Sequence, residues 1–157
     1  MKPINIGGHS AYQNRVLTQL RKYYPNAVNS LSDSSWQILE KFWSLDLSEV
    51  DTLMQDRYSV FGPEPRLPSD MLRALLVSVE FKITSYTRFA ADLKENPLHA
   101  IISGFTVGST PGVGTFYDFH KRLWMSDHKN LSNALHRLKK SLLSQKAKSK
   151  RLLLLKK

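Results

Sequence analysis

Thr115-Phe116-Tyr117-Asp118-Phe119-His120-Lys121-Arg122-Leu123-Trp124 closes a segment, residues 68–124, in which the order of apolar stripes and chain breakers decides the fold. With a helical period, Phe116, Phe119, Leu123 and Trp124 fall on or near one face at three- and four-residue spacing, whereas Tyr117, His120 and Lys121 point elsewhere. A helix with a packed aromatic back and a basic, hydrogen-bonding front has the shape that enters a DNA groove.

Upstream of this helix, residues 106–114 hold Gly108, Gly112, Gly114 and Pro111, a composition that predicts a loop with left-handed or tight-turn backbone. Before the loop, Thr84 or Ser85 caps a helix that turns Tyr86, Phe89, Ala90 and Leu93 inward until Asn96-Pro97. A short helical turn around Leu98 to Ile102 follows. Further upstream, Ser69 is expected to cap a strongly apolar helix, Met71 to about Phe81, with Leu72, Leu75, Leu76 and Val79 marking its core face. Pro63, Pro65 and Pro68 prevent a helix over 61–68, because proline lacks the amide donor and restricts the residue before it.

Three more helices are expected ahead of that break. His9 or Ser10 starts the first, striped by Tyr12, Val16, Leu17 and Leu20 and stopped by Pro25. Ser32 and Asp33 cap the second, which carries Trp36, Leu39, Phe42 and Trp43. Asp46 or Ser48 opens the third, with Val50, Leu53, Met54 and Tyr58. After Trp124, Ser126 or Asp127 opens a final amphipathic helix with Leu131, Leu135, Leu138 and Leu142 on one seam. No long segment alternates like a strand. The expectation is an all-α, multi-helix protein with three regions: an N-terminal helical layer over 1–60, a helical core over 61–125, and a basic amphipathic helix and tail over 126–157.

The core region resembles the amino-terminal domain of bacterial insertion-sequence transposases, whose full-length members join a small helical domain to a ribonuclease-H-like catalytic domain with an Asp-Asp-Glu triad. The resemblance rests on Phe61-Gly62-Pro63, on the run from Leu67 to Leu76, on Ser85-Tyr86-Thr87-Arg88-Phe89-Ala90-Ala91-Asp92-Leu93, on Asn96-Pro97 and Gly104-Phe105, and on Pro111-Gly112-Val113-Gly114-Thr115-Phe116-Tyr117-Asp118-Phe119. It covers roughly the middle 65 residues. It implies a non-catalytic portion of a transposase that binds the element's terminal inverted repeats. A chain of 157 residues is expected to be truncated relative to that family, being too short for a catalytic domain of ordinary size as well.

Charge is divided very unevenly along the chain. Residues 1–120 hold 11 Lys or Arg against 12 Asp or Glu, a net of −1, whereas residues 121–157 hold 12 basic residues against Asp127 alone, a net of +11. Such a block attracts phosphate polyanions and speeds encounter with them at low salt. The charge points to nucleic acid, and the resemblance implies that the partner is double-stranded DNA at transposon ends, with a homodimer or the intact transposase as a further partner and no membrane. Cysteine is absent, which excludes disulfides and thiolate metal sites, and no apolar run approaches a bilayer span. These features suit a cytoplasmic, nucleoid-associated protein.

The leading DNA-contact candidates are Thr115, Tyr117, Asp118, Lys121 and Arg122, followed by Ser85, Thr87 and Arg88 at the start of the preceding helix. Lys129, Arg137, Lys139 and Lys140 extend the set into the basic tail. Hydroxyls and helix amino termini suit phosphates, and arginine reads guanine through paired hydrogen bonds. Asp118 equally has the spacing to cap or to pair with Arg122. About eighteen residues separate Asn96 from Thr115, so the motif is an expanded helix-turn-helix in which either helix is a candidate for the groove.

No catalytic, metal or cofactor residues are expected. Phosphoryl transfer by this family needs clustered carboxylates around two metal ions, and here the 13 acidic residues are scattered over helical segments. His120, His128 and His136 recur every eight residues, but eight residues overshoot two helical turns by about 80°, so His128 and His136 do not share a ligand face, and an expected break near Ser126 separates His120; surface imidazoles near DNA or water are the preferred reading. Two rivals use the same features. One is a truncated-transposase regulator or helix-turn-helix transcription factor on the same DNA surface. The other is a membrane-surface or protein-interaction module built on the basic helix from Asp127 to Lys150.

Overall fold

The computed structural model describes residues 8–59 and 61–124, and all its regular elements over that range are helical. They are α1 (Gly8–Tyr23), α2 (Ala27–Ser30), α3 (Asp33–Ser44), α4 (Ser48–Met54) with a 3₁₀ turn at Gln55–Arg57, α5 (Pro68–Glu80), α6 (Tyr86–Glu95) and α7 (Pro97–Ser103). Backbone that we label α8 is helical over 113–124. The chain forms two compact units, Met1–His120 and Lys121–Lys157. The expected amphipathic helix from Ser126 or Asp127, and with it Lys129, Arg137, Lys139 and Lys140, lies outside the described residues.

The first unit is organised around α7. This seven-residue helix is buried at Ala100, Ile101, Ile102 and Ser103. It packs against α5, α1, α6 and α3, while α4 packs on α5. Helices on both sides of the proline segment therefore share one core. Met71, Ala74 and Val77 from α5, Tyr12, Val16 and Leu20 from α1, Leu39 and Phe42 from α3, and Phe89 and Leu93 from α6 fill it.

Several caps follow the sequence. Ser32 Oγ accepts from Ser35 N at 3.2 Å to start α3, and Ser85 Oγ accepts from Arg88 N to start α6. α4 differs: its N-cap position is Leu47, which has no side-chain cap bond, and Asp46, one residue earlier, accepts from Ser48 N at 2.9 Å. α5 begins differently from expectation. Pro68 takes the first helical position, where its missing N–H costs nothing, and Ser69 lies inside the helix. Its N–H and Oγ both donate to the carboxylate of Asp51, at 2.7 and 2.8 Å. Asp51 is 2% exposed. A buried anion on α4 thus caps α5 from 18 residues away, where the helix dipole favours negative charge.

The core face of α5 is also rotated from the expected one. Leu72 and Leu75 are half-buried and Leu76 and Val79 are exposed, whereas Asp70, Met71, Arg73, Ala74, Val77 and Ser78 are buried. Polar pairing decides this. Asp70 accepts two bonds from Arg15 Nη2 of α1, at 2.8 and 2.7 Å, and one from Arg73 Nη1 at 2.9 Å. The Arg73 guanidinium lies 3.5 Å from the centre of the Tyr12 ring, and the Tyr12 hydroxyl donates to Ile102 O at 2.8 Å. A stripe counted by hydrophobicity alone misses a helix whose inward side carries an ion cluster. Burial dominates its electrostatics: the Asp70 carboxyl is pushed up to about 6 against the pull of both arginines, and the Arg73 guanidinium is held below its usual range.

Gly104 closes α7 beside this cluster. With φ +93°, it takes the left-handed C′ position, and Phe105 N reaches back to Ala100 O at 3.0 Å. A Cβ on Gly104 would stand 2.6 Å from Asp70 Oδ1. Glycine is therefore required by conformation and by space at once. The same motif ends α5, but with Lys82 at φ +56° in the glycine position.

Leu17 and Leu53 are exposed rather than buried in their stripes. A short α2 interrupts the connection after Pro25. The loop before α8 ends at Gly112, so Val113 and Gly114 are helical. Asp118 lies five residues into α8 and does not cap it. Trp124 is 62% exposed and is no part of a sealed aromatic back.

Candidate nucleic-acid interface

Two helices brought together by aromatic packing carry the surface with the most DNA-contact candidates. Phe116 and Phe119 on α8 are 0% and 1% exposed, so the back of this helix is sealed within the first unit. The Phe116 ring centre lies 5.4 Å from that of Phe89, at the middle of α6. At the amino-terminal end of α6, the Tyr86 ring stacks on Phe116 at 5.8 Å and meets Tyr117 edge-on at 5.1 Å. Tyr86 also approaches His120, with ring centres 6.1 Å apart and its hydroxyl 2.8 Å from Nδ1.

The outer side of this contact is polar. Tyr117 is 53% exposed. Asp118 and His120 on α8 are exposed, as are Thr87 and Arg88 in the first turn of α6, while Thr115 and Ser85 are half-buried. Ser85 is committed to its own helix through Arg88 N, so its hydroxyl serves first as a cap. Burial, with Tyr117 as a lesser cause, pushes the Tyr86 hydroxyl above its ordinary range. It stays protonated at neutral pH and is able to donate to His120 Nδ1.

The structure thus joins the two groups of candidates, Ser85, Thr87 and Arg88 with Thr115, Tyr117 and Asp118, through Tyr86. Lys121 and Arg122 belong to the second unit. Within it, Lys121 is exposed and Arg122 half-buried on helical backbone.

Two participants are missing from the sequence-derived set. Tyr86 reads from the sequence as an inward-facing residue, and His120 as a surface imidazole near DNA or water. Their contact spans 34 residues, and no local spacing announces it. The cluster of Arg15, Asp70 and Arg73 is equally unannounced, although an Asp and an Arg three residues apart inside an apolar helix are a signal of a buried pair. Among the described residues, no group of three or more His, Asp or Glu side chains is placed to hold a metal ion. No described helix is long and apolar enough to cross a membrane. Comparison of the chain with protein-family models, with curated proteins and with solved structures finds no match.

Proposed function

We propose that this protein is a DNA-binding, non-catalytic amino-terminal portion of a transposase, and that it recognises the terminal inverted repeats of its element. The observation that carries this reading is the polar face of α6 and α8, where Arg88, Thr87, Tyr117 and His120 stand outside a sealed phenylalanine layer. A rigid back matters because base readout requires side chains held in register with a groove. The resemblance of residues 61–124 to insertion-sequence transposases supports the reading, as does the net charge of +11 over residues 121–157. The tail supplies affinity for phosphates and the helical face supplies selectivity.

In this reading the chain binds DNA ends without cutting them, since its carboxylates are dispersed along the sequence. The test is a binding titration against a duplex carrying the inverted repeats that flank the coding sequence, with a shuffled duplex of the same length and composition as control. Preference for the repeat, with no strand cleavage in Mg²⁺ or Mn²⁺, supports the function. Equal affinity for both duplexes contradicts the selective part of it, and nicking that disappears when one of the chain's own acidic residues is replaced contradicts the non-catalytic part.

A further inference from the structure

A cleft of about 220 Å³ lies between α1 and the chain that leaves α7, lined by Asn14, Arg15, Thr18, Gln19, Phe105 and Thr106. It is smaller than the roughly 300 Å³ at which pockets for drug-sized ligands begin, so its occupant is a small group. No acidic side chain lines it.

Beside the acceptor oxygens of Asn14, Thr18 and Thr106, the cleft holds donors that no hydrogen bond among the described residues uses. Gln19 Oε1 accepts from Val107 N at 3.3 Å, which leaves its NH₂ as the unbonded edge. Arg15 Nη2 is occupied by Asp70 and Arg15 Nε is buried, so Nη1 is the edge left for the cleft. The Asn14 side chain is exposed and adds a second amide NH₂. Thr18 Oγ1 spends its proton on Asn14 O at 2.8 Å. Arg15 is the one charged side chain in the lining, and it shares the single carboxylate of Asp70 with Arg73, so one carboxylate serves two arginines. Arg66, whose guanidinium lies over the Phe105 ring, adds a further positive charge beside the lining.

We propose that this cleft is a binding site for a phosphate group, held by Arg15 Nη1 and the amide NH₂ groups of Asn14 and Gln19. Arginine suits the role because Asp70 fixes the guanidinium plane before the anion arrives, so little further ordering is needed on binding. The cleft lies on α1 and shares no residue with the α6 and α8 face, so the site stands independently of the DNA-binding reading. Its phosphate comes either from a nucleic-acid backbone or from a free anion.

The experiment titrates the ¹⁵N-labelled full-length chain with inorganic phosphate at constant ionic strength, made up with chloride, and follows the side-chain amide signals of Asn14 and Gln19. Saturable movement of both is expected. In Asn14→Leu, an exposed position on α1, the midpoint for the Gln19 signal should rise about tenfold while helical content is unchanged. No saturable movement, or the same movement with chloride alone, overturns the proposal. A parallel titration with duplex DNA separates the sources. Movement of the same two signals assigns the site to a backbone phosphate, and a response to inorganic phosphate alone assigns it to a free anion; either result upholds the site.

Discussion

The Tyr86 hydroxyl and His120 Nδ1 stand 2.8 Å apart and tie the first turn of α6 to the outer side of α8. The bond crosses the boundary of two helices whose inner sides already share Phe89 and Phe116. Removing the hydroxyl and removing the packing should therefore have different consequences. Tyr86→Phe keeps the ring over Phe116 and is expected to change stability by no more than about 1 kcal/mol, the net worth of one partly exposed hydrogen bond. Phe116→Ala or Phe119→Ala empties a sealed site and is expected to cost about 3–5 kcal/mol. Urea unfolding of the three variants checks the contrast.

Gly104→Ala is expected to destabilise the domain by about 2–4 kcal/mol, because a left-handed backbone and a Cβ against Asp70 are penalised together. A thermal shift of less than a degree would show that α7 ends with more freedom than its C-cap geometry implies.

Lys82→Gly should act in the opposite direction. Lys82 holds φ +56° at the end of α5, where glycine has no steric penalty. A gain of about 1 kcal/mol is expected from chemical denaturation, reduced by the greater freedom that glycine gives the unfolded chain.

Asp70 gives the fold a pH dependence. Its folded value, about 6, lies above the ordinary 3.8 of the unfolded chain. Between these two values the native state keeps a proton that the unfolded state releases. The contribution is therefore fully present below about pH 4, is lost as pH rises through about 6, and amounts to at most about 3 kcal/mol. Stability measured from pH 4 to 7 should show this decline in the parent. Asp70→Asn, which has no proton to release, should lose that part of the slope.

The sequence disclosed the fold class because helices are announced locally. Ser32 and Ser85 act as caps at the positions where short polar residues precede apolar stripes, and Pro25, Pro63 and Pro97 fall where helices are interrupted or begin. It disclosed less about which side of each helix is buried. Leu76 and Val79 look like core residues and are exposed, because Asp70 and Arg73 turn α5 towards Tyr12 and Arg15. That choice depends on partners 55 residues away in the chain. The candidate interface divides in the same manner. Phe116 and Phe119 are legible as its buried back from their spacing, whereas the Tyr86 to His120 contact exists only once α7 and its loop have folded α6 against α8.

The most direct measurement is fluorescence anisotropy of a terminal-repeat duplex and a shuffled duplex, at one fixed salt concentration, with the parent chain and with Arg88→Ala, Tyr117→Ala and His120→Ala. All four proteins should show the same helical content; Arg88→Ala should melt as the parent does, and Tyr117→Ala and His120→Ala, which lose contacts with Tyr86, should melt a few degrees lower and remain folded at the temperature of the assay. At least one variant is expected to lose about 1–3 kcal/mol of discrimination between the two duplexes, while weak binding to the shuffled one persists through the basic residues beyond His120. If all three variants bind and discriminate as the parent does, the face formed by α6 and α8 does not read DNA.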